Sequence, residues 1–255
     1  MRGAGGSDER SREEPSEVMT VLTLAHLYPR EMNIYGDTGN VLVLRKRLQW
    51  RGRDAKVVGV HVGDPLPPDT DILLGGGGQD AAQGEIGRDF VSRGAELRAM
   101  ADDGVVMLTI CGSYQLLGHH FLTKDGRRID GVGVLDVITT GSDHRLIGNN
   151  HIDTDWGRLV GFENHSGLTE LGPGAQPLGR TVAGRGNNGQ DQTEGAVRDN
   201  VFGTYLHGPV LAKSPRFADE LLSRALACRG EDPELEPLDD SLALAAADVA
   251  VRRPR

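Results

Sequence analysis

Cysteine is nearly absent from the chain: two in 255 residues, Cys111 and Cys228. So few, so far apart, offer no disulfide framework and fit a reducing, intracellular setting. Long apolar runs are missing too, which argues against a membrane-spanning helix. Basic excess is lacking: 28 Lys and Arg stand against 37 Asp and Glu, for a net charge of −9. That balance disfavours a nucleic-acid binder, which usually carries a basic patch or stripe. No Cys/His spacing resembles a zinc site. The opening MRGAGGSDERSREEPSE has charges but no apolar segment, unlike a secretory signal. Residues 1–18 are therefore expected to form a disordered tail.

What is present is an α/β pattern. VLTLAHLY (21–28) reads as a first strand, followed by the loop YPREMNIYGDTGN. From Asn40 the spacing turns helical: Val41, Leu44 and Leu48 share a face, with Arg45, Lys46 and Arg47 outside it. AKVVGVHV (55–62) and DILLGGGG (71–78) read as strands, 85–103 as a helix, and VVMLTICGS (105–113) as a continuous apolar strand. YQLLGHHF continues as a helix. Continuous apolar strands separated by helices predict a mostly parallel central sheet covered on both faces. The second half predicts additional short antiparallel strands, ending in VFGTYLH and a helix over 215–228. One domain is expected over 19–228. Residues 229–255 then form an acidic linker and an alanine-rich C-terminal helix.

Cys111 ends a buried strand and is followed at once by Gly112, Ser113 and a helix. A strand–nucleophile–helix turn holds a reactive side chain at the carboxyl end of a sheet. The helix N-terminus adds free N–H groups and partial positive charge, which favour a thiolate. The alternative is a small buried hydrophobe. Glycines 75–78 end a neighbouring strand, where backbone amides can approach a substrate closely. No Lys-Ser or Lys-Thr follows them, so a nucleotide loop is disfavoured.

His207 ends the apolar run VFGTYLH and is the candidate base. A base needs an orienting carboxylate, yet the next two residues are Gly208 and Pro209. GDTGN contains a single acid, Asp37, and reads as a helix N-terminus rather than a phosphate or metal loop.

ICGSYQLLG, LLGGGG and YLHGP together resemble the class I glutamine amidotransferase superfamily, in its cobyric-acid-synthase-like branch. HLYPREMNIYGDTGN, GFENHSG and the arginine of GSDHRLIG are most similar to its GatD-type glutaminase subunits, which work with a MurT-type ligase on lipid II. The resemblance covers about residues 20–212 and implies a flavodoxin-like three-layer fold. It also implies that Cys111 attacks the glutamine side-chain amide and that His207 serves as base and acid. Backbone amides of Gly76 or Gly77 and of Gly112 would hold the oxyanion. Arg145 would contact the α-carboxylate, a geometry that suits a guanidinium; Gln115, Asn164 and His165 would frame the glutamine. Without the resemblance, Arg145 reads as a solvated loop residue. The branch commonly lacks the Glu that other members place two positions after the histidine. An Asp of the ligase partner is therefore expected to orient His207, with Asp143 or Glu163 as the less favoured internal source. No cofactor is expected in this chain; ATP and Mg would sit on the ligase, and the setting would be cytoplasmic, facing a lipid-linked precursor. The alternatives are an amidotransferase for a corrinoid-like acid and a catalytically silent binding subunit.

Overall fold

The structure is a computed structural model that describes residues 21–78 and 84–253; the expected tail, 1–18, lies outside them. The first sheet collects β1 (Val21–Leu27), β2 (Asp54–Val60), β3 (Ile72–Gly75), β4 (Val106–Ile110), β11 (Ala196–Arg198) and β12 (Val201–Thr204). Their spatial order is β11-β12-β4-β3-β1-β2. Every pair is parallel except β11–β12, an antiparallel edge.

Strand parity explains why these runs are continuously apolar. Ile72 and Leu74 of β3, with Val106, Leu108 and Ile110 of β4, enter one core beside Leu44 and Leu48 of α1 (Thr38–Trp50). Phe217, Leu221 and Leu222 of α5 (Pro215–Cys228) complete that face. Leu73 and Met107 point the other way, to Phe90 of α2 (Glu85–Ser92) and Leu97 of α3 (Gly94–Asp102). Alternate side chains on a strand leave on opposite faces, so a sheet buried on both sides needs apolar residues at every position.

The second sheet differs from expectation in two ways. YQLLGHHF does not remain helical: α4 (Gly112–Leu117) stops, and His120–Leu122 is β5, paired with β6 (Arg128–Asp130) and β7 (Val137–Thr154). Gly118 is extended where the helix would continue, and a Cβ there would lie 2.8 Å from the Val137 carbonyl oxygen. Nor are all the following strands short: β7 has 18 residues and β8 (Gly157–Leu171) has 15, paired as one long hairpin, and only the later strands are of the short kind expected. A register shift between Gly141 and Leu146 interrupts the pairing. β9 (Gly179–Ala183) and β10 (Thr193–Glu194) complete this sheet. The helix expected over 85–103 is two helices, broken at Arg93, where Gly94 packs closely on Val132.

Arg47 also departs from its expected place outside the buried face of α1. It is 3 % exposed and donates to Asp219 of α5 and to Asp240, which precedes α6 (Ser241–Arg252). Arg51 donates to Asp219 as well. Charge pairing ties the end of the acidic linker to the domain, and Leu235 within the linker packs against the core.

Candidate active site

Four neighbouring strands, β12, β4, β3 and β1, run parallel, so the loops leaving their carboxyl ends meet above one edge of the sheet. That edge is where open α/β sheets place ligands. Cys111 follows β4 with φ 51° and ψ −103°, and α4 begins at the next residue. Positive φ is costly for a non-glycine side chain and persists only when its surroundings hold it. Here the Cys111 N–H donates to the Thr204 carbonyl at the end of β12, at 2.8 Å, while α4 fixes the other side. The thiol is half-buried, reachable rather than walled in.

His207 lies three residues beyond β12. Its own N–H and carbonyl pair with Phe162 of β8, which fixes its main chain. Its Nδ1 faces both carboxylate oxygens of Asp37, at 3.1 and 3.2 Å, with both side chains essentially fully buried. Nε2 is buried without a hydrogen-bond partner. Burial alone would lower the imidazole's pKa. The Asp37 hydrogen bond and then the nearby Cys111 thiol outweigh it and raise the value to about 9.

The orienting carboxylate therefore comes from within the chain. Asp37 stands at the N-cap position of α1 but makes no capping bond; its side chain turns instead to His207 and to the Gly77 N–H, at 2.9 Å. The expectation of an acid donated by a partner is corrected on this point, because the Nδ1 position is already occupied. Neither internal alternative is there: Asp143 is an exposed partner of Lys124, and Glu163 accepts from Asn150 and from the Arg185 and Gly186 N–H groups. Sequence reasoning passed over Asp37 because a lone acid before a helix is ordinarily a cap. Its one signal was position, in the loop leaving the first strand.

The glycine turn after β3 is shaped by close approach. A Cβ on Gly77 would lie 2.5 Å from His207 Cε1 and 3.2 Å from Cys111 Cβ; on Gly76 it would lie 2.0 Å from the Met32 carbonyl oxygen. Ser113 Oγ donates to the Gly76 carbonyl at 2.6 Å, joining this turn to α4. Gly77 cannot serve as expected in this arrangement, since its N–H is committed to Asp37. The expected oxyanion donors narrow to Gly76 and to Gly112, which opens α4 and by position has no helical acceptor.

The expected substrate residues form two groups. Arg145 sits in the β7 irregularity, exposed, and donates to Asn164 Oδ1 at 2.5 Å and to its carbonyl at 3.3 Å. Asn164 in turn donates to the Tyr35 hydroxyl, and the Tyr35 ring meets the His207 ring edge-on at 4.6 Å. The second group centres on Tyr205. Gln115 donates to its hydroxyl at 3.1 Å, and His165 stacks on its ring at 3.5 Å with planes 6° apart. His165 is 2 % exposed, and burial pushes its pKa down to about 4, so the ring is neutral. It reaches the site through Tyr205 rather than by lining it. Among the described residues no cluster of His, Cys, Asp and Glu is arranged to hold a metal.

Residues 23–215 match the CobB/CobQ-like glutamine amidotransferase domain. Among similar proteins is a lipid II isoglutaminyl synthase (glutamine-hydrolyzing) subunit GatD from Staphylococcus aureus. It is 37 % identical, over 92 % of this chain and 97 % of that protein. The subunit of the same name from Streptococcus pneumoniae is 37 % identical over 89 % of each chain. A probable cobyric acid synthase from Methanothermobacter thermautotrophicus is 32 % identical, over 74 % of this chain but 39 % of its own length. A solved glutamine amidotransferase superposes with a TM-score of 0.55 at 17 % identity, covering 79 % of this chain and 98 % of that one. Another, from Thermotoga maritima, gives 0.51 at 16 %, covering 90 % and 91 %. These structures share the fold, and the family model spans the elements that deliver Cys111, His207 and Asp37. The chain belongs to the CobB/CobQ-like glutamine amidotransferases.

Proposed function

We propose that the chain is a glutaminase subunit that releases ammonia from L-glutamine for the amidation of lipid II. The observation that carries this reading is the run Asp37–His207–Cys111 at the carboxyl end of the sheet. The Cys111 sulfur attacks the side-chain amide carbon, and the carbonyl oxygen becomes an oxyanion beside the Gly112 N–H. Losing one such donor typically costs about 2.7–4 kcal/mol of barrier. Imidazolium His207 protonates the leaving nitrogen, ammonia departs, and a γ-glutamyl thioester remains. Neutral His207 then takes a proton from water, whose oxygen attacks the thioester carbonyl and releases glutamate and the thiol. Asp37 keeps Nδ1–H engaged, so Nε2 is the nitrogen that exchanges protons. Arg145 holds the α-carboxylate, with Asn164 and Tyr35 behind it.

Ammonia is useful only as the neutral base delivered to an activated carboxyl group. The acceptor half of the reaction is assigned to a MurT-type ligase carrying ATP and Mg, which would phosphorylate the α-carboxyl of the stem-peptide D-glutamate. Support comes from likeness along nearly the whole length of relatives named as subunits of that synthase. The corrinoid alternative has less support, because the chain spans only 39 % of the similar cobyric acid synthase. The test is glutamine hydrolysis by the purified chain, then by chain plus ligase with ATP, Mg and lipid II. Glutamate release abolished by Cys111→Ser, and an amidated lipid II by mass, are expected. A chain that releases no ammonia in either setting, or a Cys111→Ser variant as active as the parent, rejects the reading.

A further inference from the structure

Glu194 is a fully buried carboxylate to which the reaction above gives no part. It belongs to β10 in the second sheet, yet it acts on the first. Gly195, at φ 64°, would place a Cβ 2.4 Å from the Gly203 carbonyl oxygen, so only glycine lets the chain cross this close to β12. The crossing sets Glu194 under the end of that strand. Its two oxygens accept from the Thr204 hydroxyl at 3.0 and 2.8 Å, and Oε1 also accepts from the Tyr205 N–H at 2.6 Å. Thr204 Oγ1 accepts the Leu206 N–H at 3.0 Å, and the Thr204 carbonyl accepts the Cys111 N–H at 2.8 Å. One side chain thus grips Thr204 and Tyr205 directly and Leu206 through Thr204, the three residues that lead to His207, and through Thr204 it also reaches the strained main chain of the nucleophile.

We propose that Glu194 is a positioning residue for the glutaminase reaction, its carboxylate holding Thr204–His207 in register with Cys111. The proposal rests on the glutaminase reading for its kinetic part but not for its geometric part. Among the described residues no cation pairs with Glu194. The charged and titratable groups that face it are Glu163 of β8, His207 and the Tyr114 hydroxyl of α4. Burial raises its pKa, against the Tyr205 and Thr204 hydrogen bonds, to about 7. Above that value the carboxylate accepts from both the hydroxyl and the amide. Below it the added proton competes for the same oxygens, and the grip on the catalytic strand end loosens.

The test is Glu194→Gln in a Cys228→Ser background, with two readouts: glutamine turnover from pH 5.5 to 8.5, and the rate of Cys111 alkylation by iodoacetamide. Glutamine at this position can still accept the Tyr205 N–H at Oε1, but its amino group takes the place of Oε2, so the shorter 2.8 Å contact from the Thr204 hydroxyl is lost and one oxygen must serve both donors. Expected are a kcat about tenfold lower, an unchanged KM and a slower alkylation at pH 7, the size set by small misplacement of reacting groups. The acid-side fall of the parent's kcat, centred near 7, should be absent from the variant. Parental kcat and alkylation rate in the variant, or a lowered melting temperature with both readouts intact, would overturn the proposal. If the parent hydrolyses no glutamine, the glutaminase reading fails and the alkylation rates still decide the role of Glu194. Should Glu194→Gln not fold, Glu194→Asp carries the test: kcat falls while the acid-side limb remains, and a parental kcat overturns the assignment.

Discussion

At the residue scale, the outcome turns on Asp37. It exchanges a routine capping bond for a buried contact with His207 and the Gly77 N–H. Asp37→Asn should lower kcat by about 10²- to 10⁴-fold, as removal of an orienting carboxylate does in comparable triads, with KM nearly unchanged. Steady-state kinetics with a circular-dichroism check of folding decide this. Gly77→Ala should abolish turnover, because the new methyl would stand 2.5 Å from His207 Cε1. The same pair leaves a mark on stability. The folded-state pKa of His207, about 9, lies above the usual 6.5. Its contribution to stability is therefore fully present below about 6.5 and is lost as pH rises through 9. Denaturant titrations from pH 6 to 10 should show that loss in the parent and a weaker one in Asp37→Asn.

At the element scale, the long β7–β8 hairpin matters because its irregularity exposes Arg145 next to Asn164. Arg145→Ala should raise KM for glutamine far more than it lowers kcat, since in the proposed role the guanidinium would contact a part of the substrate that does not react. An equal fall in kcat with KM unchanged would remove Arg145 from the substrate site. On the opposite side, α1, α5 and the start of α6 are joined by Arg47 between Asp219 and Asp240. Arg47→Met should cost roughly 2–3 kcal/mol, less than the ~3–5 typical when a fully buried pair is broken, because the two carboxylates keep about a quarter of their exposure. Thermal melts should show the loss while Asp37, His207 and Cys111 stay aligned, so kcat measured below the melting range should hold.

At the scale of the whole molecule, an internal carboxylate changes what the isolated chain is expected to do. With Asp37 on His207, hydrolysis of glutamine needs no residue from outside, so the purified chain should turn over glutamine alone and Asp37→Asn should suppress it. Rates compared with and without the ligase check this; hydrolysis seen only with the ligase would mean that the contact seen here is not sufficient.

Sequence alone determined the parallel sheet, the cysteine elbow and the histidine that ends VFGTYLH. Each is written in a local pattern: continuous apolar runs, a strand broken by Cys-Gly-Ser, and a strand closing on an imidazole. The resemblance of those motifs named the reaction. Tertiary structure alone decided which carboxylate serves His207, and it placed Glu194 beneath the catalytic strand end. Asp37 and His207 are far apart in the chain and meet because β1 and β12 bracket β4 and β3 in one sheet. Local patterns report what a residue does to its own backbone. A buried hydrogen bond between distant residues depends on strand order, which the stretch around Asp37 does not encode.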